Sequence, residues 1–285
     1  MQRKGAGLGG LRNDMKTLTP LALKSAALKS AAMASVLLGA TTLAATPALA
    51  ADINGTDVAV TVGFDYVDEY VFRGLSFADA SIQPYVEAGI GNFTIGAWAN
   101  TPVGDDADLG LDEIDLYASY GLEFSDLVTG SVGITYYHFP EAGGFFGTDD
   151  GATGTYEVNA GLSLDYPLAP SITGYYDFTL EAFTLEGSLG YDLATSERSS
   201  LGLGVTGGFV QASDGGLDYE YVTASAGWSF SLTDDAALTA GVNYSLNSED
   251  GTLGFSRGTD PTGTRFGFTD DDDLFWSGIG LSAGF

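Results

Sequence analysis

The segment LFWSGIGLSAGF, residues 274–285, decides the fold. Phe275, Ile279, Leu281, Ala283 and Phe285 fall on one side of a two-residue repeat. Trp276, Gly278, Gly280, Ser282 and Gly284 fall on the other. One greasy face opposite one small or polar face predicts a strand lying between two environments. The segment ends on an aromatic ring, which suits an interfacial aromatic girdle.

The same rhythm recurs upstream. Over residues 58–73 the outward set is Val58, Val60, Val62, Phe64 and Tyr66, and the inward set is Thr61, Gly63, Asp65, Glu69 and Arg73. Further segments follow at 82–90, 93–100, 111–124, 128–139, 156–166, 172–178, 183–193, 201–210, 219–230 and 238–247. About twelve segments of roughly ten to fifteen residues match strands crossing a hydrocarbon slab obliquely. Short connections at Gly91, Ser125, Pro167 and Thr233 alternate with longer ones near Pro102, Pro140, Ser213 and Asp250. An up-and-down barrel requires such alternation. A soluble sandwich also alternates, so periodicity alone does not choose between them. The choice falls to the barrel on three grounds: a Gly-, Ser-, Thr- and Asn-rich opposite face, aromatic ends such as Tyr66, Phe93, Phe124, Tyr136, Tyr166, Phe178, Tyr191, Phe209 and Phe230, and an export signal. Lipid forbids open strand edges, so insertion implies closure. The expected fold class is all-β: a closed up-and-down antiparallel transmembrane β-barrel of about twelve strands.

Residues 1–50 have a different chemistry. Arg3, Lys4, Arg12, Lys16, Lys24 and Lys29 precede an Ala-rich apolar run over 31–43, and Pro47-Ala48-Leu49-Ala50 follows. This reads as a secretory signal cleaved after Ala50, its apolar run too short to span a bilayer as a helix. The barrel domain is then 51–285. Of ten basic residues it keeps four, Arg73, Arg198, Arg257 and Arg265. Of 38 acids it loses only Asp14 and keeps 37, so its formal charge is 4 − 37 = −33. Nucleic acid is excluded as a partner by that charge. With 41 glycines, 15 tyrosines, 17 phenylalanines and no cysteine, the chain has no disulfide, thiolate chemistry or Cys-type metal site.

The run VFRGLSFADASIQPYVEAGIGNFTIGAWAN (71–100), with DEIDLYASYGLEF (112–124) and YYHFPEAG (136–143), resembles the TorF-type porin family. The likeness lies in Arg73-Gly74-x-Ser76, Gly96-x-Trp98 and Glu113-x-Asp115-x-Tyr117. The resemblance implies an outer-membrane barrel and leaves its transport role open. The last strand is likewise similar to the closing strand of outer-membrane barrels, which implies that Phe285 is read by the barrel-assembly machinery. The extreme acidity and the missing lysines depart from the family pattern.

Function is sought on the inward parity. Asp65, Glu69, Glu87, Glu113, Asp115, Glu123, Glu157, Asp165, Asp177, Glu186 and Asp192 project inward in this register, with Arg73 and Arg198 as the few counter-charges. A carboxylate-lined passage attracts cations and repels anions, so the expected solutes are small cations or small polar molecules. For any single acid, hydration of the interior or pairing across strands, as between Glu69 and Arg73, is the plainer role. The loop clusters Asp105-Asp106, Asp149-Asp150 and Asp270, Asp271, Asp272 and Asp273 supply hard oxygens suited to loosely bound Ca2+ or Mg2+, but none has the spaced calcium-loop pattern. No other cofactor is expected.

A lipid hydrolase would need a nucleophile beside His138, the only histidine, and parity sets His138 outward near the lipid interface. No enzyme is expected. Gly202-x-Gly204-x-x-Gly207 and Gly5-x-Gly7-x-x-Gly10 match a dinucleotide fingerprint in letters only, since neither sits in a βαβ unit. The alternative is a non-conducting structural or adhesive barrel, which Tyr85, Trp98, Tyr117, Tyr137, Tyr175, Tyr221 and Trp276 would create by occluding the lumen.

Overall fold

A computed structural model describes residues 51–53, 56–104, 112–142, 144–146, 154–213, 218–248, 258–259, 265–266 and 273–285. The signal segment and Asp105, Asp106, Asp149, Asp150, Asp270, Asp271 and Asp272 lie outside the described residues.

The strands follow in chain order: β1 (Ala51–Ile53), β2 (Thr56–Val67), β3 (Tyr70–Phe72), β4 (Leu75–Ala78), β5 (Ser81–Ile90), β6 (Phe93–Pro102), β7 (Glu113–Ser125) and β8 (Val128–His138). Next come β9 (Gly154–Leu164), β10 (Ser171–Asp177), β11 (Ala182–Ser196), β12 (Ser199–Ala212), β13 (Tyr219–Ser231), β14 (Ala236–Asn247), β15 (Gly258–Thr259), β16 (Arg265–Phe266) and β17 (Asp273–Gly284). Twelve of them, β2, β5 to β14 and β17, form one antiparallel wall in which each strand pairs with its neighbour in sequence. β2 pairs with β5 on one side and β17 on the other, so the sheet closes on itself. At the seam the Phe285 N–H donates to Val60 O at 2.8 Å, and the Val60 N–H donates to Phe285 O at 3.1 Å. The mouth that carries this seam is called the lower mouth below.

Two-residue parity holds around the wall. Val62, Phe64, Tyr66, Val86, Ile95, Val132, Ile134, Leu162, Leu189, Leu203, Val205, Val222, Val242, Ile279 and Leu281 are all exposed on the outside. No soluble surface would present so continuous an apolar band, and acyl chains would cover it. Aromatic rings sit at the lower rim: Phe93 against Tyr120 at 4.7 Å, with Phe124, Tyr166, Tyr191 and Phe285 exposed nearby.

Inside the wall, tyrosines lie across glycines of the adjacent strand. Gly63 pairs in register with Tyr85, Gly96 with Tyr117, and Gly208 with Tyr221. A Cβ at any of these glycines would stand 2.7 Å or less from its partner's ring. Each glycine is thus the bed on which a ring packs flat into the lumen, an arrangement that restores packing a bare backbone lacks.

Three expectations need correction. Residues 58–73 are not one strand. Asp68 accepts from the N–H and Oγ–H of Ser277 at 2.6 and 2.7 Å, the wall strand stops at Val67, and β3 pairs with β4 as a separate hairpin. The alternation of short lower and longer upper connections is also incomplete: the upper connection between β10 and β11 is short, while the lower turn Glu197-Arg198 is short as the pattern requires. Arg198 is no counter-charge to the lumen. It sits exposed in that lower turn, donating to the carbonyl oxygens of Ser231 and Leu232 and lying over the Phe230 ring.

Candidate functional site

The β3–β4 hairpin gives the lumen its character. Phe72 pairs with Leu75, leaving Arg73 and Gly74 as a two-residue turn with φ of 50° and 79°. Positive φ at both positions is what a type I′ turn needs to match strand twist. Gly74 also lies so close to Tyr221 that a Cβ there would stand 2.6 Å from the Tyr221 Cβ.

This hairpin packs inside the barrel. Val71 joins Leu274 and Trp276 in one buried cluster, and Leu75 joins Tyr219 and Tyr221 in another, with Phe77 packed against the second. The Tyr70 ring lies 5.4 Å from Trp98 and 5.6 Å from Phe77, and Phe72 lies 6.1 Å from Tyr137. Asn247 Nδ2 donates to Gly74 O at 2.9 Å. Apolar contacts thus reach three separate sectors of the wall from a single short hairpin.

Its tip carries the buried charge. Arg73 Nη1 and Nη2 donate to Glu157 Oε2 and Oε1 at 2.7 and 2.9 Å, and the two side chains are only 10% and 3% exposed. The guanidinium lies 4.3 Å from the Tyr175 ring centre and 4.7 Å from that of Phe72. Burial would favour loss of the arginine's proton, but the Glu157 carboxylate outweighs it and holds the guanidinium charged. The expected Glu69–Arg73 pair does not form. The hairpin carries Arg73 across the lumen to β9, and Glu69 engages other groups.

Inward acids are capped by phenols. Tyr70 donates to Glu113 at 3.0 Å, Tyr117 to Glu87 at 3.1 Å, Tyr137 to Glu157 at 3.0 Å, and Tyr221 to Glu186. Asp177 Oδ1 accepts from the N–H groups of Thr179 and Leu180 at 2.8 and 2.7 Å, closing the short upper turn. Asp115, 2% exposed, points inward beside Glu113 on β7. Among the described residues, Asp115 Oδ1, Thr135 Oγ1, Asn100 Nδ2 and Asn159 Nδ2 are buried without a hydrogen-bond partner. Each such group costs about 1–3 kcal/mol unless satisfied, so this wall keeps polar capacity to spare.

The structure brings Glu113, Asp115, Glu157, Asp177, Glu186 and Arg73 together in and above the middle of the barrel. It sets others apart. Glu87 lies lower on the inner face, opposite Thr61 and close to the seam at Val60, and Asp65 lies above it, opposite Gln83 and against Gly280 of β17. Glu123 and Asp192 reach the lower mouth, where they are exposed, and Asp165 lies beyond the end of β9 in an exposed turn. These three were expected in the lumen wall. Parity placed them on the right face, but their height along the axis takes them out of it. Asp273 starts β17 exposed and accepts from Tyr244 at 3.1 Å.

His138 also departs from expectation. Its parity is outward, yet it is 2% exposed, with its ring 4.0 Å from Phe145 and 6.0 Å from Tyr136. Phe145 and Phe146 fold over this rim, and the Phe146 N–H donates to Tyr136 Oη at 2.7 Å. The register neighbours of His138 are Ile114 and Gly154.

Solved structures similar to this chain include the NanC porin, at 13% identity and a TM-score of 0.47, covering 79% of this chain and 98% of that one. The KdgM porin follows at 10% identity and 0.46, covering 80% and 99%. An outer membrane channel from Pseudomonas putida F1 is 12% identical with a TM-score of 0.42, covering 83% and 98%. No protein-family model matches the sequence, and no curated protein matches it. The TorF-type resemblance therefore rests on the three motifs alone.

Proposed function

We propose that the protein is an outer-membrane barrel of porin type, exported by its first fifty residues, whose acidic lumen favours small cations or small cationic and polar solutes. In this reading its upper half is closed at rest by the β3–β4 hairpin, the lower mouth faces the periplasm, and Phe285 is the residue the assembly machinery recognises. The observation that carries it is the charge balance inside. Asp65, Glu87, Glu113, Asp115, Glu157, Asp177 and Glu186 line the wall, and Arg73 is the one cation that the described hairpin and wall set against them. Such a lining repels anions and lowers the barrier to cations. TorF-type membership stays part of the proposal, on Arg73-Gly74-x-Ser76, Gly96-x-Trp98 and Glu113-x-Asp115-x-Tyr117.

A second reading, the non-conducting structural barrel, is favoured by lumen occupancy. Trp98, Tyr117, Tyr137, Tyr175, Tyr221 and Trp276 are all buried, and Tyr85 lies over Gly63. Planar-bilayer recording in a salt gradient separates the two. The porin reading expects a small cation-selective conductance that grows when Arg73 is replaced. Anion preference, or silence in both the native protein and the variant, contradicts it.

A further inference from the structure

Arg73 is held by the barrel wall in the way a bound ligand is held. Its two terminal nitrogens meet the two oxygens of Glu157 in parallel at 2.7 and 2.9 Å. Tyr137 Oη donates to Oε1 of the same carboxylate at 3.0 Å, the oxygen that also accepts from Arg73 Nη2, and the Tyr175 ring lies under the guanidinium at 4.3 Å. None of these three wall groups belongs to the hairpin. Tyr137, Glu157 and Tyr175 stand on β8, β9 and β10, whose registers run unbroken: Thr135 opposite Glu157, Tyr137 opposite Thr155, and Asn159 opposite Tyr175. Hydrogen bonding between wall strands therefore fixes the carboxylate, the phenol and the ring relative to one another. The hairpin supplies Phe72 and the arginine itself.

We infer that Glu157, Tyr137 and Tyr175 form a binding subsite for planar cations of the guanidinium class, and that Arg73 is its tethered occupant. The inference rests on the cation-favouring reading above and names the solute class for that lumen. A forked donor matches a carboxylate in two parallel bonds where an ammonium offers a single point of charge. A flat cation on a desolvated ring gains further attraction. The chain itself makes the same choice of cation: after residue 50 it contains no lysine. Because the tether makes Arg73 an intramolecular competitor, a free solute reaches the subsite only when the arginine is removed or displaced.

The test is isothermal titration calorimetry of the refolded full barrel with methylguanidinium chloride, and with methylammonium chloride as the control. Arg73→Ala is expected to bind methylguanidinium at one site, at least tenfold more tightly than the native protein does and tenfold more tightly than it binds methylammonium. Arg73→Ala/Glu157→Gln, which removes both buried charges, is expected to lose that binding. Heat-modifiable gel migration checks folding, and Arg73→Gln stands in, with the same expected preference, if the alanine variant does not refold. Equal titration of native protein and variant, or a preference for methylammonium, overturns the inference. Cation-selective conductance without methylguanidinium binding sinks the subsite alone. Binding without conductance upholds the subsite and sinks the transport reading.

Discussion

The upper and lower halves of this barrel interior share one wall and one parity but differ in what fills them. On β7 the inward series runs Glu113, Asp115, Tyr117, Ser119, Gly121, Glu123: the first three are buried, the next two half-buried and the last exposed. β9 repeats it, with Thr155, Glu157 and Asn159 buried, Gly161 and Ser163 half-buried and Asp165 exposed. β11 does the same from Thr184 through Glu186 and Ser188 to Asp192. Side chains are large where the hairpin meets them and small where it does not. The upper lumen is therefore a packed core with internal charge, and the lower lumen, on this side of the barrel, is a vestibule. A barrel of this strand number can be either open or filled, and here one short hairpin decides the upper half.

The contrast can be broken most severely at Arg73. Arg73→Ala leaves Glu157 buried without its cation, which costs about 3–5 kcal/mol. If the hairpin undocks in response, amide exchange over residues 70–78 should quicken by roughly two to four orders of magnitude while wall amides of β11 to β13 stay protected. Gly74→Ala comes next. It puts a side chain at φ 79° and a Cβ against Tyr221, for an expected cost of about 2–4 kcal/mol, read as faster proteolysis within the hairpin. Tyr117→Phe removes the phenol that caps Glu87 and should lower the urea stability of the barrel by about 1.5–3 kcal/mol. In the lower half, Glu123→Gln and Asp192→Asn touch exposed groups. They should move stability by less than about 0.5 kcal/mol and leave exchange of the hairpin unchanged.

Parity was enough to read the wall, because a strand between lipid and lumen must alternate and a closed sheet leaves no other place for the greasy set. It was not enough to find the hairpin. Tyr70 and Phe72 continue the parity of Phe64 and Tyr66 much as a wall strand would, and the break at Asp68 depends on Ser277, more than two hundred residues away in sequence. A local signal did exist: Arg73-Gly74 between Phe72 and Leu75 has the form of a two-residue turn joining two short apolar runs. The Tyr–Gly beds stayed hidden because they need the register between strands, which parity does not supply. Height along the axis is equally absent from parity, so Glu123, Asp165 and Asp192 were placed on the right face and at the wrong level. His138 was placed by its own strand, whereas its cover comes from Phe145, beyond the end of that strand.

Because the chain has no cysteine, single thiols can report the difference between the halves directly. Thr135→Cys in the upper wall and Glu123→Cys at the lower mouth would each be exposed, in the folded barrel, to a charged water-soluble thiol reagent. The account predicts rapid labelling at 123, none at 135 in the native background, and labelling at 135 once Arg73→Ala is added. Equal, rapid labelling at both positions in the native background would contradict it, since the upper lumen would then be open to water with the hairpin in place.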